Sequence, residues 1–202
     1  MRVFLTDIST IDENELKRLS ATLPPFRKAS AERCNKDNYP PHVVSFCLVR
    51  YAIRQLDANA DTEHWIIGEH GKPRLAAGKP FFNLSHSATT VAVVVSQKVE
   101  VGIDIEEIKT HAKGFASRYF RADEQAAVEA AVDPTAELCR IWSAKEAVGK
   151  ALGTGLSCGT RTILCDRAQS TRIEAGGSPQ WLSVAPANTK PPLEWISVDQ
   201  LV

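Results

Sequence analysis

The sequence lacks an excess of charge of either sign, since its 202 residues carry 24 lysines and arginines against 24 aspartates and glutamates. No global electrostatic field therefore draws the chain to nucleic acid or to an anionic membrane. An anionic ligand must instead meet a local cluster of cations. We accordingly expect no nucleic-acid partner and no membrane partner.

Cysteine is scarce and irregularly placed. The five cysteines are Cys34, Cys47, Cys139, Cys158 and Cys165. Their odd number and scattered positions argue against a disulfide framework, and no pair has the C-x-x-C spacing of many zinc sites. The sequence also lacks any run near the roughly 20 apolar residues that span a bilayer. We therefore expect reduced thiols and a soluble, cytoplasmic, unexported protein.

What is present is a hydrophobic fraction of 44%, enough for one large domain or two small halves that share a core. Strand patterns cover residues 2–8, 65–67, 89–96, 99–106, 161–165, 171–174, 181–185 and 193–198. Helical patterns cover residues 12–19, 40–56 and 135–152, with two further pieces inside 112–132. Residues 185–192 are expected to form a polar loop. The predicted class is α+β.

Acidic side chains lie on one face of the strand predicted at residues 99–106. Because side chains alternate along a strand, Gly102, Asp104 and Glu106 share a face, while the intervening valine and isoleucines share the other. Two carboxylates on a rigid strand suit magnesium, which prefers hard oxygen ligands. The alternative is a strand face that is merely solvated.

The helix predicted at residues 135–152 carries a second cluster. At about 100° per residue, Trp142, Glu146 and Lys150 form one stripe beside the apolar face. Lys145 projects near the middle of that apolar face, where a buried ammonium is costly unless an anion or a wet cleft receives it. This placement favours a nearby ligand. The alternative is an amphipathic helix with an ordinary Glu–Lys pair at positions i and i+4.

A third cluster, residues 81–87, follows the segment 71–74 and combines hydroxyls, an imidazole and two cations. This composition favours a phosphate ligand, although a turn before a buried strand is the plain alternative. A serine hydrolase is disfavoured, because the G-x-S-x-G elbow is absent. In addition, Ser85 and His86 would point to opposite sides of an extended strand.

A tight antiparallel hairpin is predicted from runs 89–96 and 99–106, joined by Gln97 and Lys98. This register would place Asp104 opposite Val91, with the third cluster just beyond that end of the hairpin. Acids and phosphate-binding groups would then share one rim. The residues by themselves thus predict magnesium-assisted chemistry on a nucleotide or pyrophosphate, and do not identify the acceptor.

Four segments in order, residues 71–73, 82–87, 102–106 and 142–150, resemble the signature segments of the 4′-phosphopantetheinyl transferase superfamily. The length resembles the surfactin-synthetase type rather than the shorter, trimeric holo-acyl-carrier-protein synthase type. The resemblance implies two similar α/β halves, 1–98 and 99–202, in one pseudo-dimeric monomer. Each half would pack a small antiparallel sheet on a long helix.

The resemblance also implies an activity. The protein would use magnesium to move the 4′-phosphopantetheine arm of coenzyme A to a serine of an apo acyl or peptidyl carrier protein. Adenosine 3′,5′-bisphosphate would be released. The implied magnesium ligands are Asp104, Glu106 and Glu146, the implied pyrophosphate contact is Lys150, and the implied acceptor of the serine proton is Glu124. The implied contacts with the adenine and 3′-phosphate are Arg27, Lys72, Ser85 and His86.

The N-terminal basic stretch departs from the family pattern, which has more arginine and an aromatic partner there. This chain instead has Cys34 after Arg33 and an unusual segment at residues 38–42. Two other functions stay open. One is a magnesium-dependent pyrophosphate hydrolase acting on coenzyme A or a nucleotide, and the other is a non-catalytic module that binds coenzyme A or a carrier protein.

Overall fold

The computed structural model describes residues 1–187 and 190–202 and has the mixed α+β architecture that the sequence predicts. The helices are α1 (Glu13–Ala21), α2 (Pro25–Ala31), α3 (Tyr39–Arg54), α4 (Phe115–Tyr119), α5 (Ala122–Ala130) and α6 (Pro134–Leu152). The strands are β1 (Arg2–Asp7), β2 (Trp65–Ile67), β3 (Pro73–Leu75), β4 (Phe81–His86), β5 (Thr90–Ser96), β6 (Gly102–Glu107), β7 (Gln169–Ala175), β8 (Ser178–Ala185) and β9 (Leu193–Trp195).

Two sheets form the centre of the molecule. The first has the order β4-β5-β1-β9, in which only the β1–β9 pair is parallel, and the second has the antiparallel order β6-β8-β7. Strands β2 and β3 form a separate two-stranded ribbon. The late strand β9 therefore completes the sheet that begins with the first strand of the chain.

The sheets and the two longest helices are stacked in layers. Along β5, Val91, Val93 and Val95 belong to the apolar cluster that includes α3, whereas Ala92 and Val94 belong to the cluster shared with β6, β7 and β8. Every residue of β5 is consequently buried. Helix α6 packs on the other face of the second sheet. Full burial of one valine contributes roughly 1.5–3 kcal/mol, so this two-sided strand is a major part of the core.

Helix α6 lies unusually close to β6, and this approach positions the site. The helix begins where the Asp133 side chain accepts a hydrogen bond from the Ala136 amide, and it ends before Gly153. A Cβ atom added to Gly102 of β6 would lie 2.0 Å from the Ala147 carbonyl oxygen. Only glycine fits at this crossing, so the sequence brings the acidic face of β6 directly against α6.

The predicted hairpin between residues 89–96 and 99–106 is wrong. Strand β5 already pairs with β1 on one side and with β4 on the other, which leaves no free edge for β6. Strand β6 pairs instead with β8, and Asp104 lies opposite Ser183 rather than Val91. The apolar faces of β5 and β6 suggested two neighbouring strands of one sheet. In the structure these faces pack against each other between the first and the second sheet.

The strand predicted at residues 161–165 is also wrong, because short 3-10 turns occupy Thr160–Thr162 and Cys165–Arg167. The carbonyl groups of Thr160 and Ile163 accept hydrogen bonds from a side chain instead of a neighbouring strand. The two helical pieces predicted inside 112–132 are confirmed as α4 and α5. Of the predicted loop 185–192, residues 188 and 189 lie outside the described residues.

Candidate active site

The acidic face of β6 forms the floor of the candidate site. Asp104 is 6% exposed, and its Oδ1 atom accepts hydrogen bonds from Lys150 Nζ at 2.7 Å and from Ser85 Oγ at 2.9 Å. Its Oδ2 atom is buried and has no hydrogen-bond partner among residues 1–187 and 190–202. The Asp104 carboxylate thus joins three of the four segments singled out in the sequence, residues 82–87, 102–106 and 142–150, while its Oδ2 atom has no partner in the described residues.

Strand β4 supplies the polar groups above this floor. The Asn83 side chain accepts a hydrogen bond from the Ile103 amide at 3.0 Å, and Ser85 Oγ lies 3.1 Å from Lys150 Nζ. Asn83 and Ser85 point toward β6 because alternate residues of a strand share a face. His86 points to the opposite side, as the sequence predicts. The third cluster and the acids therefore meet through β4 and not through a hairpin.

Glu146 and Lys150 lie one turn apart on α6 and both line a cavity of about 310 Å³. Lys72, Asn83 and Gly153 also border this cavity. Burial raises the pKa of Glu146, the nearby Lys150 ammonium opposes that rise, and the Asp104 charge adds to it. Glu146 and Lys150 of the predicted stripe thus face the cavity, whereas Trp142 packs against Phe115 and Tyr119.

Glu106 lies farther along β6 and has a different environment. Burial raises its pKa, and the charge of Asp104 raises it further. Its Oε1 atom lies 3.6 Å from Lys109 Nζ and 3.9 Å from His111 Nε2. The pKa values of Glu106 and Glu146 therefore both respond to Asp104, which means that the three acids share one electrostatic neighbourhood.

The three acids Asp104, Glu106 and Glu146 have the oxygen donors that a divalent metal ion prefers. In the described part of the chain, no group of three or more His, Cys, Asp or Glu side chains is close enough to hold a metal ion. The Lys150 ammonium is instead the cation that Asp104 holds. The Asp104 Oδ2 atom is nevertheless a hard oxygen donor without a partner in the described residues, and burial raises the pKa of both Glu106 and Glu146, with a further contribution from the Asp104 charge. This donor chemistry fits a divalent cation such as magnesium.

Lys72 is buried and fully occupied by contacts within the protein. Its ammonium donates to Glu100 at 2.7 Å, to the Val101 carbonyl at 2.9 Å and to the Ala151 carbonyl at 3.2 Å. A lysine ammonium has three protons to donate, and each has an acceptor here. Lys72 thus ties the last turn of α6 to the start of β6. Its predicted contact with coenzyme A stays a prediction.

A second cavity, of about 300 Å³, lies on the opposite side of β4 and shares Leu84 with the first. It is lined by Arg27, Cys34, Asn38, His42, Ser45, Leu84 and His86. Three buried donor atoms here, Arg27 Nε, His42 Nε2 and Ser45 Oγ, have no hydrogen-bond partner within the described residues. Buried polar groups without partners are costly, so the cavity is prepared for a ligand that accepts several hydrogen bonds.

The charge of this second cavity is positive. The Arg27 guanidinium carbon lies 4.5 Å from the centroid of the Trp65 ring, in a cation–π contact. Burial lowers the pKa of Arg27 and of His42, and the charges of Arg27 and His86 lower the pKa of His42 further. The sequence pointed to Arg27 and His86 as ligand contacts but not to His42 and Ser45. The only sequence signal was the unusual segment around His42, since α3 had to be docked on β4 before its neighbours were known.

Glu124 lies in neither cavity lining. It is 5% exposed, its Oε2 atom accepts the Arg121 amide at 2.8 Å, and its Oε1 atom lies 2.8 Å from Lys145 Nζ. Lys145 is completely buried and also donates to the carbonyls of Thr160 and Ile163. The anion that receives the buried ammonium is therefore Glu124 and not a ligand. The general-base role of Glu124 stays a prediction.

Comparisons with known proteins point to one family. The profile of the 4′-phosphopantetheinyl transferase superfamily matches residues 100–191. The chain is similar to the 4′-phosphopantetheinyl transferase psf-1 of Bacillus pumilus, with 33% identity over 170 residues, 79% of this chain and 72% of the relative. It is also similar to the 4′-phosphopantetheinyl transferase AcpT of Salmonella typhimurium, with 42% identity over 93 residues, 44% of this chain. The match spans 48% of AcpT, about half its length.

No helix in the described ranges 1–187 and 190–202 is both long enough and apolar enough to cross a membrane.

Proposed function

The chain belongs to the 4′-phosphopantetheinyl transferase superfamily, and we propose that it transfers the phosphopantetheine arm of coenzyme A to a serine of an apo acyl or peptidyl carrier protein. The observation that carries this proposal is the pair of cavities that meet at Leu84. One is lined by Glu146 and by Lys150, which is bonded to Asp104, and the other contains buried donors without partners in the described part of the chain. Coenzyme A likewise carries a pyrophosphate and a 3′-phosphate on two sides of one adenosine.

The second cavity suits the 3′-phosphate of coenzyme A. A phosphate monoester has three acceptor oxygens and two negative charges near neutral pH. It would satisfy Arg27, His42 and Ser45 together, and those groups are already held in place by α2 and α3. His86 reaches the same cavity from β4. This match supports a nucleotide with a phosphate on its ribose over a ligand that carries a pyrophosphate alone.

The first cavity suits the pyrophosphate. Lys150 lies beside Ser85 and Asp104 and can contact phosphate oxygens, while Asp104, Glu106 and Glu146 would be the magnesium ligands. When bound, magnesium would neutralise the negative charge that develops on the pyrophosphate oxygens during transfer. The Lys150 ammonium, no longer held by Asp104, would then stabilise the leaving adenosine 3′,5′-bisphosphate. The hydroxyl of the carrier serine would attack the phosphorus that bears the arm, and the bond from that phosphorus to the bridging oxygen would break.

The serine proton needs an acceptor, and the family resemblance assigns this role to Glu124. Its carboxylate would first have to leave Lys145 or the Arg121 amide, because each of its oxygens is bonded. A general base must also come within hydrogen-bond reach of the proton, directly or through one water. Glu124 is thus proposed as the base on the condition that α5 moves when the carrier protein binds.

We also propose that the chain is pseudo-dimeric, with halves divided between residues 98 and 99, and that the protein acts as a cytoplasmic monomer. Strand β9 of the second half crosses back to complete the first sheet. Each sheet packs on one long helix, α3 or α6, and the two sheets face each other. The candidate site lies where β4 meets β6. Contributions from both halves to one site would make a second chain unnecessary.

The proposal is tested by incubating the protein with magnesium, coenzyme A and a panel of apo carrier proteins, and by following the intact mass of each carrier. We expect one or more carriers to gain the mass of the arm. Coenzyme A should release adenosine 3′,5′-bisphosphate in an amount equal to that of the modified carrier. Release of nucleotide without any carrier would indicate the pyrophosphate hydrolase instead. Tight coenzyme A binding without turnover on any carrier would indicate a binding module. Lys150→Met provides the control, since it should bind weakly and transfer slowly.

A further inference from the structure

Cys34 differs from the other four cysteines in its surroundings. It is partly exposed and lies in the wall of the second cavity, together with Arg27, His42 and Ser45. Cys47 and Cys139 are buried, and neither Cys158 nor Cys165 lines this cavity. Within the described residues, the Cys34 thiol makes one hydrogen bond, a long one of 3.6 Å to the Ser30 carbonyl. Its sulfur is therefore available to a molecule that enters the cavity.

The same cavity has features that draw anions in. Ser45 is 2% exposed, and its hydroxyl has no partner in the described part of the chain, as is also true of Arg27 Nε and His42 Nε2. Arg27 lines the same cavity as Cys34 and brings the positive charge of its guanidinium there. Exposed thiols that lie near an arginine are the ones that meet anionic reagents most readily. The cavity thus combines a binding site for anions with a reactive atom in its wall.

We propose that Cys34 is a covalent modification site, and that an anionic low-molecular-weight disulfide modifies it and thereby excludes the anionic ligand from the second cavity. That the excluded ligand is the 3′-phosphate end of coenzyme A rests on the proposed function. The preference of Cys34 for an anionic reagent does not rest on the proposed function, because it follows from the charge and the unpartnered donors of the cavity alone.

The chemistry is thiol–disulfide exchange. The Cys34 thiol loses its proton to solvent, and the thiolate attacks one sulfur of the disulfide. A bond forms between Cys34 and that sulfur, the bond between the two reagent sulfurs breaks, and the other half leaves as a thiolate that takes up a proton. Cys34 is oxidised and the reagent is reduced. An external dithiol reverses the reaction and reopens the cavity.

The first experiment measures the modification rates of Cys34 and Cys158 by mass spectrometry of peptides. Glutathione disulfide is the anionic reagent and cystamine is the cationic one. Cys158 is the internal control, because it is exposed and lies outside the cavity lining. We expect the anionic reagent to be favoured at Cys34 by about tenfold relative to Cys158, which corresponds to roughly 1.4 kcal/mol. Adenosine 3′,5′-bisphosphate should slow the modification of Cys34 and leave that of Cys158 unchanged. Equal reagent preferences at the two cysteines would overturn the proposal.

The second experiment measures coenzyme A binding by calorimetry before and after treatment with glutathione disulfide. We expect treatment to weaken binding by about tenfold or more in the wild type and in Cys158→Ser, with recovery after dithiothreitol. Cys34→Ser should show no response to treatment. If treated wild type with modified Cys34 binds coenzyme A normally, the proposal is overturned. If untreated protein does not bind coenzyme A, the proposed function fails instead, and the reagent preference of Cys34 still decides the modification site.

Discussion

Replacing Lys145 by methionine should destabilise the protein strongly. The substitution keeps most of the apolar stem but removes the ammonium, which lies 2.8 Å from Glu124 and donates to the carbonyls of Thr160 and Ile163. The side chains of Lys145 and Glu124 are 0% and 6% exposed, so water cannot replace the lost contacts. Breaking a buried pair of this kind by removing one partner costs about 3–5 kcal/mol.

The measurement is the free energy of unfolding from urea titrations, supported by thermal unfolding. A loss of about 3–5 kcal/mol corresponds to a decrease in Tm of roughly 6–20 °C for a chain of this size. Lys17→Met is the matched control, because Lys17 pairs with Glu13 at 3.9 Å while their side chains are 76% and 92% exposed. An exposed pair of this type contributes about 0.3–0.5 kcal/mol. If both variants lost the same small amount, the buried pair would not stabilise the fold as argued.

The same pair of residues separates a structural role of Glu124 from a catalytic one. Glu124→Gln removes the carboxylate that would accept the serine proton, whereas Lys145→Met leaves it in place. If Glu124 is the general base, the single-turnover rate with saturating substrates should fall by roughly 100-fold in Glu124→Gln and much less in Lys145→Met. Equal rates in the two folded variants would assign Glu124 to the stability of α5 alone. The double variant should lose less stability than the sum of the single variants, since no buried charge is left alone.

Three further predictions concern α6, the second cavity and the acids. Gly149→Ala should destabilise the protein by about 1–3 kcal/mol in urea titrations, because its Cβ would lie 2.4 Å from the Gly155 carbonyl oxygen. An unchanged midpoint would contradict this close approach. Burial and the charges of Arg27 and His86 lower the pKa of His42, and a bound phosphate would raise it again. Affinity for adenosine 3′,5′-bisphosphate should therefore fall as pH rises through the pKa of the bound state, and calorimetry should show proton uptake that His42→Gln abolishes. A pH-independent affinity in the wild type would contradict this. Removing divalent cations with a chelator should abolish transfer, magnesium should restore it, and activity that survives chelation would exclude the acids as metal ligands.

The sequence by itself determined which side chains share a face. Alternation along a strand depends only on the local backbone, so the common face of Asp104 and Glu106 and the opposite directions of Ser85 and His86 could be predicted. The helical period likewise placed Glu146 and Lys150 on one stripe of α6. The predicted α+β class is also what the structure has.

Only the tertiary structure decided which faces meet. Strand β6 would show the same alternation if it paired with β5 in one sheet or if, as observed, it belonged to the second sheet and packed face to face on β5. The pattern could therefore not exclude the hairpin. The buried charge of Lys145 was evident from its position, but its partner depended on how α5 lies against α6. His42 and Ser45 became site residues only through the packing of α3 on β4. Local periodicity fixes the direction of a side chain, whereas its partners come from segments far apart in the chain that are brought together by burial of both sheets.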